Sequence, residues 1–471
     1  MNANLLNVIL LGIAFHLLFF SFQTSVFIQQ TVVNSFRTRP DSNFTGDGYV
    51  SLCITYAVFA LANWLAPSVI AITGVKYGMF FGAITYVLYS FSFIYLTTTL
   101  FYLAAGLIGL GAGLLWTAQG SFLSKISDAD TSTRNAAIFW SMLQSSILFG
   151  NVFVYFAFDN QTTISDKTRY IVYGVLTTVG ASGTLFLLLL RGDKEFDDDN
   201  TSDNNHIAQS SPSQDGGGGR GAESTCNNTD SMTPWGQFME SLKLAKSRDM
   251  ILLSTAFLFT GQLLSFFTGV YGTAIGATSE FGIDSKKYIG LAGISIGVGE
   301  ILGGATFGLL GTRVNRFMGR DAIFILGYAA TTIAFTLTAL NLPPDSPLVA
   351  HSVLPAIIDS RLWIAILSSV LIGLGDACFN TQIYSLLMSV YSDKSACAFA
   401  LFKFVQSAGS AAAFLYSTRL NLYYQLAILA VISSIATICF CIIEWSKRKR
   451  DAIEKTDSQQ NIIKHGNDDN D

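Results

Sequence analysis

Leu107-Ile108-Gly109-Leu110-Gly111-Ala112 and Leu371-Ile372-Gly373-Leu374-Gly375-Asp376 are the same five residues followed by different sixth ones. The repeat implies a chain built from two similar halves. The difference implies that the halves do different work, because Asp376 is a carboxylate in the middle of an apolar run. A charge inside a membrane helix costs a few kcal/mol or more and marks a functional site by default.

Composition agrees with a membrane setting. The 471 residues are 51% hydrophobic and 13% charged, with 37 Phe and 41 Gly, and the mean hydropathy is +0.45. Soluble domains carry about 25% charged residues. Gly-rich, Phe-rich helices suit bilayer packing, where small residues let backbones approach. The six cysteines show no metal-ligand spacing and no pairing in outside loops. No P-loop, HExxH or GxSxG in a strand–turn–helix context occurs, so nothing points to an enzyme, a cofactor or a nucleic-acid partner.

A spanning helix needs about 20 mostly apolar residues. Twelve segments qualify: 5–33, 49–72, 78–98, 101–123, 135–158, 169–190, 249–275, 288–311, 321–341, 361–387, 396–418 and 422–445. They divide the chain into a six-helix bundle over 1–190, a cytoplasmic linker over 191–248, a second bundle over 249–445 and a tail over 446–471. The linker holds Asp197-Asp198-Asp199 and Gly216 to Gly219, a composition expected to be disordered. Pro234 to Lys246 reads as a short amphipathic helix. The tail from Ser446 is charged and is expected to lack regular structure.

Nineteen of the 28 Lys and Arg fall on the side shared by the termini and the linker, and eight on the other. This places both termini in the cytoplasm. Of the four N-x-[ST] sequons, Asn43 and Asn160 then lie outside, while Asn200 and Asn227 lie inside. Asn43, in the longer loop, is the better glycosylation candidate.

The repeat extends beyond its first five residues. Thr117 matches Thr381, and Gln144-Ser145 matches Gln406-Ser407, at offsets near half the chain. Two parallel six-helix repeats are the pattern of the major facilitator superfamily. The expected fold is therefore all-α and polytopic, with twelve transmembrane helices in two pseudo-symmetric halves. The stretch Gly311-Thr312-Arg313-Val314-Asn315-Arg316-Phe317-Met318-Gly319-Arg320 resembles that superfamily's loop signature, with Asn315 in place of its acid. Arg313, Asn315, Arg316 and Arg320 either hold topology or form a latch against helix ends. The first-half loop, Thr73 to Gly78, is more degraded.

Three formal charges sit inside apolar segments, all in the second half: Glu300, Asp376 and Lys403. At about 1.5 Å per residue they lie roughly 17, 18 and 12 Å from their inner helix ends, so they can meet near one level. The matched first-half positions are Ala112 for Asp376 and Ser141 for Lys403. Aligning Tyr288 with Tyr49 sets Glu300 against Leu61. Two acids with one base leave a surplus negative charge, which a proton or a cation can relieve. The cluster is either a proton-coupling site or a structural set that fixes helix packing. Asn380, Gln382 and Gln406 surround it. Gln23, Trp116, Gln119 and Gln144 are first-half candidates for the same cavity, with Gln29, Gln30 and His16 read as packing residues.

The phrases Trp116-Thr117-Ala118-Gln119-Gly120, Gly269 to Thr273, Gly299 to Gly304, Gly375 to Gln382 and Phe402 to Ser407 resemble the Unc-ninety-three-like family of the major facilitator superfamily. Three of them contain Glu300, Asp376 and Lys403. The resemblance implies a twelve-helix facilitator fold in a lipid bilayer, but no particular substrate. It leaves two functions open. One is a secondary transporter of an unknown small solute, coupled to protons. The other is a non-transporting accessory protein that regulates an ion channel or escorts a membrane receptor.

Overall fold

A computed structural model describes residues 3–39, 42–127, 132–161, 163–190, 234–309, 318–391 and 394–468. The first half comprises α1 (Ala3–Arg37), α2 (Gly48–Thr73), α3 (Val75–Ser92), α4 (Thr98–Lys125), α5 (Ser132–Ala157) and α6 (Asp166–Phe186). A short helix, α7 (Pro234–Ala245), precedes the second half. There follow α8 (Arg248–Ala277), α9 (Lys287–Gly303), α10 (Arg320–Asn341), α11 (Leu362–Val390), α12 (Ser395–Ser417) and α13 (Leu422–Asp468). Among the described residues no strand forms, only an isolated bridge between Thr278 and Ser352. Eleven of these helices are long and apolar enough to cross a bilayer. The remaining long one, α3, has 18 residues and carries Lys76, Tyr77, Tyr86 and Tyr89, which lower its hydropathy.

Local chemistry sets the helix starts. The Asp47 carboxylate accepts from the N–H groups of Tyr49 and Val50, and Thr97, Ser165 and Ser247 cap α4, α6 and α8 in the same manner. Each such cap satisfies an orphan donor and is worth about 1 kcal/mol. One glycine at positive φ joins α2 to α3 (Gly74, φ 76°), and another opens α10 (Gly319, φ 86°). A Cβ would strain either position, so α3 and α10 start from the same glycine conformation.

Two expectations are corrected. Segment 78–98 ends early, at Ser92. Buried Arg169 of α6 reaches across and donates to the carbonyls of Phe93 (2.6 Å) and Ile94 (3.0 Å), closing α3 there. Second, the last helix does not stop at 445 but continues to Asp468. Its first extramembrane turn is held by Glu444–Arg448, four residues apart, and by Arg448–Asp321. The eighth and ninth helices carry a local distortion. Phe266–Tyr271 within α8 and Gly304–Leu309 after α9 are π-helical turns, a distortion that often accompanies function. The expected helix in Pro234 to Lys246 forms, and Glu240 anchors it to Lys394 at 2.5 Å. That ammonium holds the Glu240 carboxyl below its ordinary range.

The two halves pack identically. In the first, α1 meets α5 and α6, α4 meets α2 and α3, and α3 meets α6. In the second, α8 meets α12 and α13, α11 meets α9 and α10, and α10 meets α13. The halves join chiefly through α5 with α9 and through α2 with α12, each pair the image of the other. The α5/α9 seam is lined by Gly290, Gly293 and Gly297, at which an added Cβ would press on Tyr155, Asn151 and Leu148. The α2/α12 seam is aromatic, with Tyr49 and Tyr56 stacked on Phe414 and Trp64 tilted on Phe404. At the far end Lys287 pairs with Asp159 at 2.6 Å, and the Tyr49 hydroxyl donates to Pro347 O at 3.1 Å.

The repeated glycines explain the repeated sequence. A Cβ on Gly109 would lie 2.6 Å from Thr55 O on α2, and one on Gly111 would overlap Thr85 on α3. In the second half Gly373 is pressed against Ile296 and Glu300 N on α9, and Gly375 against Thr331 on α10. Residues two apart face nearly opposite sides of a helix, so one glycine seats each neighbour. Gly113 against Ala62 and Ala377 against Gly303 carry the register one turn further. These contacts pair Ala62 with Gly303, and hence Phe59 with Glu300. Leu61, the expected counterpart, is 66% exposed and belongs to another face.

Gly106, one turn earlier on α4, has nothing within 4 Å of a built Cβ. Gly109→Ala should therefore lower stability by about 1–3 kcal/mol through overpacking, whereas Gly106→Ala should be neutral or stabilising by up to about 1 kcal/mol. Thermal unfolding of the two detergent-solubilised variants checks this, and equal midpoints would refute the close-packing account.

Candidate functional site

Glu300 lies on the last turn of α9, immediately before the π-helical turn. Gly299 and Gly303 beside it, and Gly373 opposite, bring α9 and α11 into backbone contact. That approach buries Glu300, and its side chain turns to the other half, where Gln144 Nε2 of α5 donates to Glu300 Oε2. The bond crosses the α5/α9 seam, so one buried carboxylate is satisfied by the opposite bundle.

Asp376 is buried on α11. Its Oδ2 accepts from Asn380 Nδ2 at 3.0 Å, while Oδ1 has no hydrogen-bond partner among the described residues. Asp376 lies within electrostatic reach of both Glu300 and Lys403. Sequence reasoning placed the three charges in one cluster, and the structure modifies that picture. Lys403 Nζ donates to Gln406 Oε1 at 2.9 Å, and among the described residues it forms no ion pair. Gln406 passes the connection to Thr260 of α8 at 3.3 Å.

Around the Lys403 ammonium stand three rings: Phe402 at 4.8 Å, Tyr384 at 5.8 Å and Trp140 at 6.0 Å from the ring centroids. Cation–π contacts of this kind contribute about 0.5–2 kcal/mol each, most where water is excluded. Trp140 belongs to α5, so this cage too is built from both halves. Trp116 extends it, stacking on Trp140 with centroids 5.7 Å apart. The aromatic run Trp116–Trp140–Tyr384–Phe402 thus bridges the bundles beside the carboxylates.

The other candidates scatter. Gln23 Oε1 accepts from Ser146 at 3.1 Å and joins α1 to α5. Gln119 is buried on α4. Gln382 donates to Thr381 at 3.1 Å, and its carbonyl oxygen has no partner among the described residues. Gln29 and Gln30 tie α1 to the start of α2. His16 Nδ1 lies 2.9 Å from Ser145 Oγ and 3.0 Å from Met142 O, within the α1/α5 contact. Arg313, Asn315 and Arg316 lie outside the described residues. Arg320 pairs with Glu444 of α13 at 3.0 Å and donates to Ser389 of α11 at 2.6 Å. Asn43 is exposed in the loop before α2.

Trp140, Tyr384 and Thr260 were missed by sequence reasoning. One signal was available: Trp140 precedes Gln144 by four residues and so shares its helix face. Tyr384 likewise follows Asn380 by four residues, whereas nothing local marks Thr260, whose role depends on where α8 and α12 cross.

Comparison with known proteins agrees with this architecture. The peptide transporter POT in complex with sulfate superposes with a TM-score of 0.63 at 12% identity, covering 93% of each chain. The nucleoside transporter NupG gives 0.60 at 14% identity, covering 94% of this chain and 99% of its own. At such identities these likenesses concern fold alone. Among sequence relatives, the UNC93-like protein MFSD11 of Xenopus laevis is 41% identical over 458 residues, covering 95% of this chain and 98% of the relative. Protein unc-93 homolog A of Bos taurus is 24% identical over 473 residues, covering 96% of this chain and 95% of the relative. The family model described as "Ion channel regulatory protein UNC-93" matches residues 40–441. This chain is an integral, multi-pass membrane protein of the major facilitator type, and it belongs to the UNC-93 family.

Proposed function

We propose that the chain is a secondary carrier of a small solute, with both termini in the cytoplasm, and that Glu300 couples movement of its halves to a proton. The observation that carries this reading is the Gln144–Glu300 bond across the α5/α9 seam. Facilitator-type carriers expose a midplane site alternately by rocking one half against the other. A bond to an ionised carboxylate is about twice as strong as a neutral one. Proton uptake on Glu300 therefore weakens the link between the halves, and proton release restores it. Asp376, with one oxygen unpartnered among the described residues, is the second carboxylate able to share that proton. Lys403, held by rings from both halves, senses the same motion.

A second reading is supported by the family model's own description and by the absence of counterpart charges in the first half. In it the chain regulates an ion channel or escorts a membrane receptor without moving a solute.

Untargeted solute uptake into reconstituted vesicles, with and without a pH gradient, separates the two. A carrier accumulates at least one solute in a gradient-dependent manner, and Glu300→Gln should reduce that dependence about ten-fold or more. Activity equal to wild type in both Glu300→Gln and Asp376→Asn would sink the coupling role. Failure to move any solute would favour the accessory role. The orientation has its own check, since Asn43→Gln should abolish a glycosidase-sensitive mobility shift. Modification at Asn200 or Asn227 instead would reverse the assigned topology.

A further inference from the structure

A groove opens at the membrane end of the second half, between the first turn of α8 and the stretch of α13 that leaves the apolar zone. Its volume is about 230 Å³, and it is lined by Arg248, Asp249, Leu252, Ile442, Ile443, Ser446, Lys449 and Arg450. The lining divides by chemistry. Half-buried Leu252 and Ile442, which is 37% exposed, form an apolar wall on the bilayer side, with Ile443 buried behind them. Arg248, Lys449 and Arg450 form a basic rim on the aqueous side, and all three are exposed. Asp249 is the single acid, and it is engaged by Arg450 at 3.2 Å. Among the described residues neither Arg248 nor Lys449 is in an ion pair, so the groove keeps a surplus of two positive charges.

Its level relative to the membrane is marked by Trp445, which is 56% exposed and donates to Asp321 at 2.9 Å. Exposed tryptophans on membrane helices favour the headgroup layer. Two neighbouring cations are engaged outside the groove. Arg448 is taken by Asp321 and Glu444, and Lys243 by Glu240. Arg248 and Lys449 are the cations without an acid partner, among the described residues, that line the groove itself. The start of α8 adds its helix-end dipole, which favours an anion at this point.

We propose that this groove binds the headgroup of an anionic phospholipid bearing phosphomonoester groups, with its glycerol and upper acyl carbons against Leu252 and Ile442. Arg248 presents a planar fork matched to phosphate oxygens, and Lys449 adds a point charge. A surplus of two charges suits a multiply charged headgroup better than a singly charged serine lipid. Basic pockets between helix ends at an anionic leaflet are the setting in which such headgroups are recognised. The site is independent of the carrier reading, since it lies on the outer flank of α8 and α13.

The probe is phosphatidylinositol 4,5-bisphosphate added to the full-length protein in neutral-lipid nanodiscs. Both leaflets are then accessible, so the result does not depend on the orientation of the chain in cells. Phosphatidylserine and the soluble inositol trisphosphate headgroup are separate arms. The expected result is retention of the bisphosphate lipid by native mass spectrometry in preference to phosphatidylserine. Affinity should fall about five-fold for each cation removed in Arg248→Ala and Lys449→Ala, and further for Lys449→Glu. These side chains are exposed, so the variants should remain monodisperse. Lys76→Ala, a basic change elsewhere on the same membrane face, should bind as wild type. Unchanged binding in Lys449→Glu would overturn the proposal. So would equal retention of phosphatidylserine, or binding of the soluble headgroup as tight as that of the lipid.

Discussion

The structure depends on how closely α4 and α11 approach their neighbours. Each is the middle helix of its half, and each contacts two others across opposite faces. Only glycine allows backbones to pack at that distance on both sides, so two glycines two residues apart recur in both halves. In a bilayer, where burial of apolar surface gives little advantage, such packing is the main attraction between helices. The same approach of α11 to α9 buries Glu300 and forces its carboxylate to find a partner on α5. The shared glycines and the unshared carboxylates are therefore parts of one arrangement.

Pseudo-symmetry then shows what has been added. Helix pairing is the same in both halves, yet Phe59 stands where Glu300 does, Ala112 where Asp376 does and Ser141 where Lys403 does. The charged side chains of the second half are answered by neutral groups of the first: Gln144 for Glu300, and the ring of Trp140 for Lys403. A donor amide and an electron-rich ring stabilise charge without cancelling it. Asp376 Oδ1 and the Gln382 side-chain oxygen are the atoms of this site left without a partner among the described residues.

Much of this was legible in the chain itself. Twelve apolar runs, the halves and their common register follow from periodicity and one repeated pentapeptide. So does the singularity of Asp376, because a symmetry mate shows what its position tolerates. What could not be read depends on contacts between distant segments. Ser92 ends α3 because Arg169, 77 residues later, supplies the donors that the helix end lacks. Leu61 was chosen as the mate of Glu300 by aligning tyrosines, but glycine contacts set a register two residues away. The cage around Lys403 draws on three helices, and no local pattern says where they cross. The helical course beyond Ser446 was hidden by its charge, which reads as disorder in composition yet supplies the Glu444–Arg448 pair along the helix.

The two seams between the halves differ in texture. Glycines leave the α5/α9 surface nearly smooth, whereas α2 and α12 interlock through Tyr49, Tyr56 and Phe414. Packed smooth surfaces slide past one another by small shear steps, while interdigitated rings must stay or separate as a unit. The joint is thus a slideway on one side and a pivot on the other. Relative motion of the halves would be lopsided, turning about the aromatic edge with its greatest travel along the edge that holds Gln144 and Glu300.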